Sequence, residues 1–282
     1  MEVIQRVARM KEIINDIKQE KKLIGFVPTM GCLHEGHLSL VREARKMSDV
    51  LIASIFVNPK QFGPNEDYER YPRNIAKDTE LLQKENVDYI FYPTVEEMYP
   101  AGYKTYVEVE QLSQKLCGKS RPNHFRGVTT VVSKLFNIIQ PNFAFFGQKD
   151  AQQTIIIKRM LKDLNSNIEI ITMPIVREVD GLALSSRNVY LNPDERKAAT
   201  ILYKSLMKAK DLFQTGERKA AKISKAIIDV LSSEPLAKID YIEIVDMENL
   251  DPLKTIEKNA LIAIAIYVGS TRLIDNIIVE AK

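Results

Sequence analysis

Residues 27–44 read VPTMGCLHEGHLSLVREA. The stretch closes an apolar run, LIGFVP (23–28), with the length and bulk of a buried strand, and it opens HLSLVREARKM (37–47), whose apolar residues recur at helical spacing. Between them lies a loop, 29–36, with Gly31 and Gly36 and with His34 just before the helix that His37 begins; these are two of only three histidines in the chain. A strand, a glycine-bearing turn and a helix open a doubly wound parallel sheet, a fold that binds ligands beyond the carboxyl ends of its strands. Glycine permits close backbone approach, and a helix start offers free N–H groups and a positive dipole end. Two imidazoles add donors, so the loop suits a phosphate that gains charge during reaction. It is neither a GxxxxGK[ST] loop nor a GxGxxG fingerprint. Cys32, His34 and His37 carry zinc-ligand atoms, but HEGH lacks the i, i+4 spacing of HExxH and no compact partner motif supplies a fourth ligand, so no metal site is assigned. The plainer alternative is a pair of helix-entry histidines satisfied by nearby backbone.

The same grammar runs outward. Residues 3–20 read as an amphipathic helix, 49–58 as strand, 75–86 as helix, 87–93 as strand, 128–140 as helix, 142–146 as strand, 151–165 as helix and 168–176 as strand. That alternation predicts an α/β domain, a doubly wound, Rossmann-like parallel sheet over residues 1–176. Beyond it come two helices, 193–216 (with Asn192 as N-cap and Pro193 at the first position) and 218–235, then three strand-like runs, 238–246, 260–268 and 272–280. Elements grouped in blocks predict a smaller α+β domain, 177–282, with an antiparallel sheet.

A chain of 282 residues has room for two such domains. Its net charge of +3, with lysine and arginine well mixed among acids, argues against a nucleic-acid partner. No run approaches the roughly 18 apolar residues of a membrane span, and the N-terminus has no secretory pattern, so no membrane partner and a cytoplasmic location are expected. Cys32 and Cys117 are too few for a disulfide framework.

Four further motifs carry chemistry: FVNPKQFGPNEDYERYPR (56–73), HFRGVTTVVSKLF (124–136), FFGQKDAQQ (145–153) and LSSRN (184–188). Gln61 offers a donor and an acceptor at the end of a strand, unless it is a solvated loop glutamine. Gly147, Lys149, Asp150 and Gln153 sit where another strand enters a helix and should converge with the histidines, although Asp150 also suits a plain N-cap. Ser185, Ser186 and Arg187 supply hydroxyls and a planar fork suited to phosphate oxygens; the alternative for Arg187 is an interdomain salt bridge. RPNHFRG (121–127) reads as a helix entry with solvated charges rather than an anion-handling loop, and the lysine-rich helices of 197–225 as solvated faces.

In order and spacing these motifs, with PTMGCLHEGHLSLV, resemble the pantothenate synthetase (pantoate-β-alanine ligase) family of the HxGH nucleotidylyltransferase superfamily. The resemblance implies ATP-dependent condensation of (R)-pantoate with β-alanine to pantothenate through a pantoyl-adenylate, releasing AMP and pyrophosphate. It places ATP against Met30, Gly31, Cys32, Leu33, His34, Glu35, Gly36 and His37, against Gly147, Gln148, Lys149 and Asp150, against the backbone of Val176, and against Leu184, Ser185, Ser186 and Arg187. It assigns pantoate to Gln61 and Gln153, and β-alanine to Gln61 in the second step. His37, His34, Lys149 and Arg187 would stabilise charge, with Mg2+ carried on the triphosphate and the C-terminal domain closing as a lid. The family is commonly dimeric through its N-terminal domain, so a homodimer is implied, with YVEVEQL (106–112) a candidate contact strand. Leu184 stands where the family usually has methionine, and Asn123 where it commonly has glycine; asparagine tolerates the same left-handed turn. A small-molecule nucleotidylyltransferase would share the HxGH loop without needing an amine, and a nucleotide sensor would show no turnover. Gln61 and Gln153 favour the ligase.

Overall fold

The computed structural model describes residues 1–64 and 66–281; Asn65, inside the 56–73 motif, and Lys282 lie outside the described residues. Its first part runs β1 (Glu2–Ile4), α1 (Val7–Gln19), β2 (Ile24–Thr29), α2 (Glu35–Met47), β3 (Val50–Ile55), α3 (Ile75–Lys84), β4 (Tyr89–Phe91), α4 (Val95–Met98), α5 (Cys117–Ser120), α6 (His124–Ile139), β5 (Phe143–Gly147), α7 (Ala151–Asp163) and β6 (Glu169–Met173). The six strands form one parallel sheet in the order β1-β4-β3-β2-β5-β6. β2 and β3 are apolar almost without interruption because both of their faces are buried. From β2 the chain winds through β3 and β4 to one side, then crosses back to lay β5 and β6 on the other. The β2/β5 junction is therefore the topological switch point.

Three local expectations are corrected. The helix expected from residue 3 begins at Val7, and Glu2–Ile4 instead pairs with Tyr89–Phe91 as an edge strand. Three residues, two of them exposed, show no period to read. YVEVEQL is not a strand: the side chains of α6 take its backbone groups, Val107 N–H donating to Thr130 Oγ1 (3.0 Å) and Thr129 Oγ1 to the Val107 carbonyl (2.6 Å). The 193–216 helix is two, α8 (Pro193–Ala198) and α9 (Ile201–Gln214), where Thr200 Oγ1 bonds back to the Lys197 carbonyl at 2.8 Å and bends the path. Asn192 does cap α8, in reciprocal bonds with Glu195 (2.9 and 3.0 Å).

After α10 (Ala220–Leu231), β7 (Ala237–Asp246), β8 (Ala260–Val268) and β9 (Thr271–Val279) form an antiparallel sheet in that order. The α/β fold with a smaller α+β unit is thus the expected one. β8 explains how the two parts meet. Ile262, Ile264 and Ile266 pack with Leu206, Ile223 and Ile227 of α9 and α10, whereas Leu261 and Ala263 join the core of the parallel sheet. Each large side chain so buried contributes about 1.5–3 kcal/mol. Polar contacts reinforce the seam: Asn276 Nδ2 donates to the carbonyls of Gln148 (2.9 Å) and Lys149 (3.0 Å), while next to it Arg177, just past the parallel-sheet part, forks onto Asp275 (2.6 and 2.9 Å). Among the described residues no helix is long and apolar enough to cross a membrane.

Candidate active site

The loop from β2 to α2 turns through two left-handed residues, Gly31 (φ 81°) and Cys32 (φ 51°). Asp78 of α3, only 2% exposed, makes this possible by accepting from Cys32 N–H (2.9 Å) and Leu33 N–H (2.8 Å). Thr29 Oγ1 accepts from Gly31 N–H at 3.2 Å. These three loop amides are satisfied internally, so the free donors expected at the helix start are not drawn from them. A Cβ on Gly31 would fall 2.9 Å from Asp78 Oδ2, a second reason for glycine there. Nothing local in the sequence marks Asp78, which lies far from the loop along the chain.

His34 is the N-cap residue of α2 and His37 lies in its first turn, their rings 4.1 Å apart between centroids. His34 N–H donates to His37 Nδ1 (3.3 Å), so the proton of a neutral His37 resides on Nε2. Burial, then neighbouring His34 and Lys149, hold the His37 pKa well below its ordinary value; burial, then Lys149, pull His34 down to about 4. Both rings are therefore neutral N–H donors near pH 7. The helix-entry alternative holds for one ring nitrogen only, because His34 Nδ1 is buried without a hydrogen-bond partner. Gly36 lets the His34 ring lie over the helix start: a Cβ there would stand 3.0 Å from the ring.

The β5–α7 connection reaches the same edge. Gly147 faces open space, Lys149 Nζ stands 4.0 Å from Asp150 Oδ1, and Asp150 holds the N-cap position of α7 without making a side-chain cap bond. A cavity of about 230 Å³ is lined by Met30, His34, Gly36 and His37 from the first connection, by Gly147, Lys149, Asp150 and Gln153 from the second, and by Gln61, Val176 and Leu184 to Arg187. The other residues expected around ATP lie outside this lining. Gly31 and Leu33 are buried, Cys32 is half-buried, Glu35 is exposed and pairs with Arg42, and Gln148 donates to Asn276 Oδ1.

Gln61 is 9% exposed, so the solvated-loop alternative fails. Its Oε1 accepts from Asn58 Nδ2 (3.0 Å), its Nε2 donates to Met30 Sδ (3.2 Å), and its carbonyl accepts from His124 Nδ1 (2.8 Å). α6 presses on this turn through Gly127, where a Cβ would stand 2.2 Å from the Lys60 carbonyl oxygen. Asn123 adopts the expected left-handed geometry (φ 64°). The charges of RPNHFRG are not solvated as expected. Arg121 bonds Glu66 twice (2.7 and 2.6 Å) and meets His124 Nε2 at 3.0 Å, while burial, then Arg121, push His124 to a pKa of about 3. Arg187 makes the salt bridge weighed as its alternative, forking onto Asp67 with two bonds of 2.9 Å, and still lines the cavity. A second cleft, about 490 Å³, opens between the two sheets and shares Arg121, His124, Lys149, Asp150, Gln153, Ser185 and Arg187 with the first.

A parallel sheet with an HxGH loop, HEGH, at its switch point and neutral imidazoles beside a lysine defines a Rossmann-like, nucleotide-handling protein of the HxGH class. The chain belongs to the pantoate-beta-alanine ligase family, matching it over residues 2–278. It is 58% identical over 280 residues to the pantothenate synthetase of Caldicellulosiruptor saccharolyticus, covering 99% of this chain and 100% of that one. To the enzyme of Thermotoga neapolitana it is 59% identical over 278 residues, 99% of each chain. The crystal structure of pantothenate synthetase from Thermus thermophilus superposes with a TM-score of 0.94 at 45% identity, covering 98% of this chain and 99% of that one. The Francisella tularensis pantoate-beta-alanine ligase, solved with beta-gamma ATP and beta-alanine, superposes with a TM-score of 0.81 at 37% identity, covering 98% and 97%.

Proposed function

We infer that the chain joins pantoate to β-alanine at the expense of ATP, and that the switch-point cavity is where it does so. One observation carries the reading: His34, His37 and Lys149 share a single cavity with the two amides, Gln61 and Gln153, that a hydroxy acid requires. A carboxylate resists amine attack because its charge repels the nucleophile and oxide is a poor leaving group. In the first step a carboxylate oxygen of pantoate bonds to the α-phosphorus while the bond to the β-phosphate oxygen breaks, releasing pyrophosphate. Negative charge grows on the phosphate oxygens, where neutral His37 and His34 donate hydrogen bonds without surrendering protons and Lys149 supplies a point charge. In the second step the amine of β-alanine attacks the adenylate carbonyl, the C–O bond to AMP breaks, and the nitrogen gives a proton to water. No covalent bond to the protein forms; its task is positioning and charge stabilisation.

Arg187 grips Asp67 through Nε and Nη2, which leaves its Nη1 donors for a phosphate in the cavity it lines. Magnesium enters on the triphosphate as part of the nucleotide substrate. Residues 177–282 act as the lid unit over the cleft between the sheets, with the parallel-sheet unit ending at 176. The active form is a homodimer in the cytoplasm. The test omits ATP, pantoate and β-alanine in turn from the purified protein: AMP and pantothenate must appear only with all three, and a dinucleotide product would make it a nucleotidylyltransferase instead. His37→Ala should nearly abolish pantoate-dependent pyrophosphate exchange while leaving the melting temperature in place.

A further inference from the structure

We propose that Glu66, Arg121 and His124 form a positioning relay that fixes Gln61 at the cavity, so that His124 sets affinity for the hydroxy-acid substrate by acting through Gln61. Gln61 ends the one-turn segment Pro59–Gln61, too short to be rigid by itself, and it is held from both ends. Asn58 orients the side chain: its Nδ2 donates to both Gln61 Oε1 (3.0 Å) and the Gly127 carbonyl (3.1 Å), while Tyr99 O–H donates to its Oδ1 (2.8 Å). That leaves the Gln61 amide nitrogen as the group presented beside Met30.

The backbone end depends on His124. An arginine has no acceptor, so the 3.0 Å contact between Arg121 Nη1 and His124 Nε2 places the imidazole lone pair on Nε2 and its proton on Nδ1. Nδ1–H then donates to the Gln61 carbonyl at 2.8 Å. Arg121 is itself held by both oxygens of Glu66 and reaches the same carbonyl more weakly at 3.4 Å. The carboxylate thus orients the guanidinium, the guanidinium selects the tautomer, and the tautomer pins the turn carrying Gln61. A second-layer partner that fixes a histidine tautomer governs the group the histidine holds. Lysine in place of Arg121 would serve one acceptor at a time and break the chain.

This inference rests on the reading of Gln61 as a substrate ligand, so the experiment separates the two. KM for pantoate, KM for ATP and kcat are measured on the full-length protein for Gln61→Ala, His124→Ala, His124→Asn, Glu66→Gln and the double variant Gln61→Ala/His124→Ala. His124→Ala should raise KM for pantoate about tenfold and change KM for ATP by less than about twofold. His124→Asn, whose amide N–H takes the place of Nδ1–H, should recover most of that loss. In the Gln61→Ala background, adding His124→Ala should do nothing further, the signature of a residue that acts through another. Multiplicative losses in the double variant, or equal rises in both KM values, would overturn the relay. If Gln61→Ala raises KM for pantoate and His124→Ala does not, the relay alone falls; if Gln61→Ala has no effect, the site reading falls and takes the relay with it. Should His124→Ala not fold, Glu66→Gln decides: a rise of about threefold in KM for pantoate is expected, and no rise overturns the proposal.

Discussion

Asp78 offers the sharpest test of how the histidine loop is built, because it lies behind the loop and outside the lining of the cavity. Its carboxylate accepts two backbone N–H groups, from Cys32 and Leu33, at 2.9 and 2.8 Å, from a side chain only 2% exposed. Asp78→Ala removes two charge-assisted hydrogen bonds and strands the donors; at about 1.5–3 kcal/mol per bond to a charged acceptor, with some relief by entering water, the loss comes to roughly 3–5 kcal/mol. For a chain of this size that lowers the melting temperature by roughly 6–10 °C. Asp78→Asn keeps one acceptor but turns an amide NH2 toward the other donor, so about half the loss is expected. The loop should also shift, carrying His34 with it, and a displacement of about 1 Å costs up to about a hundredfold in rate. Thermal melts and pantoate-dependent pyrophosphate exchange are measured together. An alanine variant that melts within about 1 °C of the parent and keeps its exchange rate would refute the clamp.

Other outcomes follow from the same contacts. His34 and His124 have pKa values of about 4 and about 3 in the fold against about 6.5 unfolded, so the unfolded chain binds protons first as pH falls. Their contribution is therefore complete above about pH 6.5 and erodes towards about pH 4 and about pH 3; urea unfolding at pH 7.5 and 5 should show lower stability at pH 5, with a shallower slope in His124→Asn. Gly127→Ala forces a methyl group to within 2.2 Å of the Lys60 carbonyl oxygen, and should cost about 1–3 kcal/mol in denaturant unfolding while raising KM for pantoate. Arg187→Lys loses the planar fork that grips Asp67, and pyrophosphate exchange should fall about 10- to 100-fold; a value within about threefold of the parent would count against a phosphate role.

The central strands β2 and β3 were legible because burial on both faces leaves nearly unbroken apolar runs, and the helices α2 and α7 because their apolar residues keep a helical period. β1 was not, since three residues show no period and its partner is more than 80 positions away. YVEVEQL misled because its alternation is that of a strand, while the threonines that occupy its backbone groups belong to α6. In the site, His34, His37, Lys149 and Gln61 declared themselves by chemistry and by position after strands. Asp78 and Glu66 did not, because an acid that holds backbone or another side chain looks the same in sequence as one facing water.

β8 is sandwiched, with Leu261 and Ala263 in one core and Ile262, Ile264 and Ile266 in the other. A central girder of this kind limits the motions available to the enzyme: the back half can roll or slide on the front half about this strand, but swinging away would wet the shared apolar seam. Severing the chain near residue 176 would leave that seam bare on both fragments, so neither half should behave as a well-dissolved protein by itself.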